Sequence, residues 1–238
     1  MSGHSKWSTI RHKKAAQDAK RANVFTKLGN MISVAAREGG GDLEVNFKLK
    51  MVVDKARSAN MPKDNIERAI KRGTGELKDG AQIEEVFYEA YGPGQVAMII
   101  KTATDNTNRT VGEVRHLLSK AGGKMVAKGS VGFLFRKVGE IVVKVSDENI
   151  DEIEMVAIDA GAEDMEREEN FLYIYTKPED LQKIKEELEK NKVEITDAEL
   201  SFLPSQQATP NDEERKKYET LRESLEENDD VVEIYDNL

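Results

Sequence analysis

The sequence predicts an α+β protein of more than one domain, and three observations carry that reading. Apolar residues in the first third recur every three or four positions, the period of helices buried along one face. From about residue 86 the period shortens, and β-prone runs alternate with helical ones. At 238 residues the chain also exceeds the usual size of a single domain.

Residues 1–12, MSGHSKWSTIRH, have no helical period and read as an arm. From Lys13 onward Ala15, Ala19, Ala22, Phe25, Leu28, Ile32 and Ala35 line one face of a first helix. Gly39, Gly40 and Gly41 stop it, since glycine adopts the left-handed conformation at helix ends without a Cβ penalty. A second helix is expected over residues 43–59, burying Val45, Leu49, Val52, Val53 and Ala56. Pro62 suits the first turn of a third, over 63–72, with Ile66, Ala69 and Ile70 inward and Gly73 at its end. These three helices make residues 1–78 a small helical domain.

Val86, Tyr88, Tyr91, Val96, Met98 and Ile100 fall in two β-prone runs flanking Gly92-Pro93-Gly94, a strand-turn-strand unit. A helix over 107–121 follows, with Val111, Val114, Leu117 and Leu118 inward, then a β-prone run over 131–138. From Gly139 the order is strand (141–145), helix (149–160), strand (164–168), strand (171–176), helix (178–191) and strand (193–203). That βαββαβ order is the ferredoxin-like pattern. Residues 204–210 read as a linker before a charged helix (212–227) and a last strand, 231–235. A lone strand needs a sheet to join, so the tail is expected to return to the second domain.

Composition excludes several classes. There is no cysteine, which removes disulfides, thiolate nucleophiles and Cys-ligated zinc and fits a reducing, cytoplasmic setting. No run approaches the roughly 18 apolar residues of a membrane span, and the N-terminus lacks a secretory h-region. The three histidines, at 4, 12 and 116, show no metal-binding spacing. Neither GxGxxG after a strand nor GxxxxGK[ST] occurs, so no nucleotide cofactor is expected. Acidic runs such as Glu163-Asp164 and 226–230 have no positioned base beside them in sequence and read as solvated faces or helix ends. No catalytic residue, metal, cofactor or small-molecule substrate is expected.

Charge is the informative property. The net charge of −9 hides a division: residues 1–78 hold 17 Lys/Arg against 8 Asp/Glu, and the remainder 19 against 37. A basic end on an acidic body points to a polyanionic partner without indiscriminate sticking. The strongest constellation is Lys6, Arg11, Lys13, Lys14, Lys20, Arg21 and Lys27, opposed by Asp18 alone. Lys13, Lys20 and Lys27 recur at seven, which places them near one another on the first helix, away from its apolar stripe. Trp7 among them has two readings, a stacking surface for a base or an anchor for the arm. Lys63, Arg68, Lys71 and Arg72 form a second set on the third helix, and Asn106, Asn108, Arg109 and Arg115 lie in or after a polar loop, Thr104 to Arg109. That loop suits helix caps and Asx turns, or a backbone-phosphate site at a helix start.

GHSKW at the start, NMPKDNIERAIKRG at 60–73, YGPG at 91–94, TDNTNRTVGEVRH at 104–116 and KGSVGF at 128–133 together resemble the YebC/PmpR family. The likeness is carried by motifs in the first 135 or so residues. It implies three domains: residues 1–78; a second α+β domain of 79–136 plus 205–238; and a ferredoxin-like third domain, 137–204, inserted into the second. Family members are described as probable transcriptional regulators that bind DNA, and others, including a mitochondrial branch, as ribosome-associated translation factors assisting difficult nascent sequences. No catalytic residues come with the resemblance. The expected partner is therefore DNA or ribosomal RNA, with the ribosome itself included in the second case.

Overall fold

The computed structural model describes residues 18–77 and 81–238. They divide into two compact units, residues 136–203 and the remainder on either side.

The first unit opens with α1 (Asp18–Gly39), α2 (Phe47–Ser58) and α3 (Lys63–Gly73). Leu28, Ile32, Leu49, Val53, Ala56, Ile66 and Ala69 form their shared core. The second helix begins four residues later than periodicity indicates, because Asn46 caps it. Its side-chain oxygen accepts from Leu49 N at 3.0 Å, while Nδ2 donates to the carbonyls of Ala35 and Gly40. Val45, expected inside, is thereby left 77% exposed. Gly73 lets α3 press on α1, since a Cβ there would stand 2.3 Å from the Ser33 carbonyl oxygen.

The same unit holds a four-stranded sheet in the order β3-β1-β2-β8, made of β1 (Glu84–Tyr91), β2 (Ala97–Thr104), β3 (Lys124–Val126) and β8 (Val231–Asp236). Two helices, α4 (Thr107–Lys120) and α7 (Asp212–Glu226), cover one face. Ala90, Met98, Ile100, Val114, Leu118, Tyr218, Leu221 and Ile234 interlock between them. The YGPG turn is tight because α7 lies over it: a Cβ on Gly92 would meet the Tyr218 ring at 2.8 Å. Asn211 starts α7 with a full capping box closed by Glu214. The terminal strand pairs antiparallel with β2, Ile100 opposite Ile234, as a lone strand in search of a sheet must.

The second unit is β4 (Phe135–Lys144), α5 (Ile150–Ala160), β5 (Asp164–Glu168), β6 (Phe171–Thr176), α6 (Leu181–Lys190) and β7 (Ile195–Pro204). Its sheet order, β5-β6-β4-β7, is that of a ferredoxin-like domain. The runs expected separately at 131–138 and 141–145 are largely one continuous strand, and the short β3 carries no signal in the sequence. Three residues offer too little alternation for periodicity to register.

Candidate nucleic-acid interface

Exposed cations of the described helical domain include Arg37 on α1, Lys50 and Arg57 on α2, and a group of three on α3. Ile66 and Ala69 are buried, and the Ser33 hydroxyl donates to Ala69 O at 2.9 Å, which fixes the helix against α1. Lys63, Arg68 and Lys71 are turned outward. Lys63 shares its charge with Glu67 at 3.5 Å, and Arg72, half-buried, donates to the Ala81 carbonyl at 3.4 Å. Arg68 and Lys71, three residues apart and both in water, are the open part of this set.

The arm residues Lys6, Trp7, Arg11, Lys13 and Lys14 lie outside the described residues. Lys20 and Arg21 belong to the first turn of α1.

Lys27 is corrected. It does not share a solvent-facing stripe but is 5% exposed, and its Nζ donates to the Glu226 carbonyl oxygen at 2.5 Å. Burial lowers its pKa to about 8, against the opposing pull of the Glu226 and Asp229 carboxylates. One turn earlier Asn23 Nδ2 donates to Glu227 O at 3.1 Å and to Asp229 Oδ1 at 2.7 Å. Both side chains thus satisfy the end of α7, where carbonyls lack helical partners and the dipole is negative. Heptad spacing alone could not separate a cation facing water from one docked on another helix.

The polar loop before α4 is likewise part of the fold. Asn106 caps the helix by accepting from Arg109 N at 3.1 Å. Arg109 Nη2 donates to both oxygens of Asp230, at 3.1 and 2.8 Å, and to Asp105 at 3.2 Å. Thr104 and Thr110 hydroxyls donate to Asp230 Oδ2 at 3.1 and 2.7 Å. Asn106 and Arg109 are therefore committed to a cap and an ion pair and leave the candidate set, whereas Asn108 and Arg115 stay exposed. The acidic run 226–230 lies at a helix end, as one of its two readings has it, but it is a joint rather than a solvated face. Asn23, Lys27, Thr104, Arg109 and Thr110 all converge on it, and Asp230 is 7% exposed.

The KGSVGF segment forms an anion-binding loop that the protein fills itself. Backbone N–H groups of Gly129, Val131 and Gly132 donate to the Glu89 carboxylate at 2.6, 2.6 and 3.0 Å. Partial burial raises the Glu89 pKa, but the backbone donors outweigh it and hold it below the usual range. Among the described residues no group of three His, Asp or Glu side chains is arranged to hold a metal ion. No described helix is long and apolar enough to cross a membrane.

A cationic helix on a three-helix core, joined to a four-stranded sheet whose last strand follows a ferredoxin-like insertion, defines a class of modular α+β proteins without an assembled metal centre among the described residues. The chain belongs to the TACO1/YebC family: residues 5–76 match the model of the TACO1/YebC protein N-terminal domain, and residues 83–238 that of the TACO1/YebC second and third domain. It is similar to a probable transcriptional regulatory protein of Persephonella marina, 51% identical over all of this chain and 95% of that one. One from Thermoanaerobacter pseudethanolicus is 50% identical over all of this chain and 97% of that one. The crystal structure of a conserved hypothetical protein from Aquifex aeolicus superposes with a TM-score of 0.89 at 45% identity, covering 98% of this chain and 96% of that chain.

Proposed function

We propose that this chain is a non-enzymatic, cytoplasmic regulator that binds nucleic acid through its basic N-terminal end, with duplex DNA as the first reading. The carrying observation is the charge division: 17 Lys/Arg against 8 Asp/Glu in residues 1–78, beside an acidic remainder. The names of its relatives support a regulatory role. Lys6, Arg11, Lys13, Lys14, Lys20 and Arg21 supply the phosphate contacts, with Trp7 beside them and Arg68, Lys71 and Arg72 on α3 extending the surface. Asn108 and Arg115, both exposed on α4, remain candidates beside them.

A second reading, ribosomal RNA as the partner, is favoured by one observation. The exposed face of α3 interleaves Asp64 and Glu67 with its cations, a poor arrangement for a helix entering a major groove to read bases. Recognition by shape, as irregular RNA is recognised, tolerates it better.

Reversing Lys13, Lys14, Lys20 and Arg21 to Glu tests the function. Binding to duplex DNA at about 0.1 M salt is expected to be lost with the fold intact, and the wild-type slope of log K against log salt to lie near −4 to −5 for about five neutralised phosphates. Unchanged binding removes the proposal. Crosslinking in cells, with recovered RNA and DNA sequenced separately, assigns the partner.

A further inference from the structure

Within the acidic remainder of the chain, residues 114–135 contain no Asp or Glu. They contain Arg115, Lys120, Lys124 and Lys128, all exposed. The last three follow one path in space: Lys120 ends α4, a Gly-Gly turn leads to Lys124 on the edge strand β3, and Lys128 opens the loop beyond it. Steps of four residues keep neighbouring Cα atoms within about 14 Å. Lysines on an edge strand also discourage sheet-to-sheet pairing, and that alone would account for Lys124.

It does not account for the aromatics. Lys124 Nζ lies over the Tyr91 ring, 5.9 Å from its centroid, and Tyr91 is only half-buried. Phe133 is 73% exposed. Its loop is not loose, because three backbone N–H groups at 129, 131 and 132 are tied to the Glu89 carboxylate. An aromatic ring is thus held in water at the end of a lysine track, at the cost of its own burial.

We propose that the β3 edge is a second nucleic-acid site, separate from the N-terminal arm and specific for unpaired strands. Lys120, Lys124 and Lys128 meet phosphates, and Phe133 stacks on a base. Every base offers a π-face, so the site is tolerant of sequence and selects single strands over duplex, in which bases are already stacked. The inference rests on the nucleic-acid reading above but concerns different residues and a different form of the ligand.

Three full-length variants test it, Lys120→Glu/Lys124→Glu/Lys128→Glu, Phe133→Leu and Phe133→Tyr, titrated with 20-nucleotide single-stranded RNA, the same sequence as single-stranded DNA, and its duplex. At about 0.1 M salt the triple variant is expected to lose at least tenfold in single-strand affinity. Its salt slope should fall by about 2, three phosphates at roughly 0.7 each. Phe133→Leu should lose several-fold on single strands with duplex binding unchanged, and Phe133→Tyr should restore it. The two single-stranded probes decide whether RNA or DNA is preferred. If the wild type binds and both the triple variant and Phe133→Leu match it on single strands, the site is overturned while the N-terminal reading stands. If the wild type binds none of the three probes, both fall.

Discussion

Arg109 Nη2 lies 2.8 Å from Asp230 Oδ2 across 121 positions of sequence. The pair joins the start of α4 to the residue before β8, and so ties the two parts of a domain that the chain leaves and re-enters. Asp230 is the buried member and also takes the Thr104 and Thr110 hydroxyls.

Asp230→Ala is therefore expected to be the more damaging change, by roughly 2–4 kcal/mol, since it removes the buried acceptor that gathers Thr104, Thr110 and Arg109. Arg109 is half-exposed, and Arg109→Ala should cost less than about 1 kcal/mol. Urea unfolding of both variants checks the order; an equal or reversed loss contradicts this account of the joint.

Lys27 gives a pH signature. Its pKa is about 8 in the folded protein against 10.5 in the unfolded chain. Below pH 8 both states bind the proton and the fold carries the burden of a buried charge. Between about 8 and 10.5 the unfolded state binds more protons, so this group makes stability rise with pH. Lys27→Met should lack that rise, so that Tm of wild type minus variant climbs between about pH 8 and 10.5, while nucleic-acid binding is untouched. Loss of binding would return Lys27 to the interface.

Glu89 acts at the other end of the scale. Its depressed pKa contributes stability that is present above the carboxylate's ordinary value of 4.5 and is lost as pH falls through the lower folded value. Glu89→Gln offers the Gly129, Val131 and Gly132 donors one oxygen in place of two and no charge. A loss of about 1–2 kcal/mol at neutral pH is expected, with a shallower acid limb. Thermal melts from pH 3 to 7 read both effects.

Gly73 is a packing test. Gly73→Ala puts a methyl 2.3 Å from the Ser33 carbonyl oxygen, which is backbone and cannot swing away. Overpacking of this kind costs about 1–3 kcal/mol, despite alanine's better helix propensity. An unchanged or raised Tm would show that α3 does not sit this tightly on α1.

Periodicity, turn residues and charge were enough to place most helices and strands, to recognise the βαββαβ order, and to send the last strand back to the second domain. Each of those is a local pattern, or a deduction from an unpaired one: apolar spacing in α3, Gly92-Pro93-Gly94 before β2, the linker 204–210 before α7. The division of charge is equally legible in one dimension. What the sequence could not assign was the use of its polar residues, because a side chain's role depends on what distant segments bring within 3 Å of it. Lys27 and Arg109 have the composition of phosphate ligands, yet the fold places one against the Glu226 carbonyl and the other against the Asp230 carboxylate. Phe133 has the composition of a core residue, yet the fold leaves it in water. Burial follows from tertiary packing, and burial decides which charges and rings remain available to a partner.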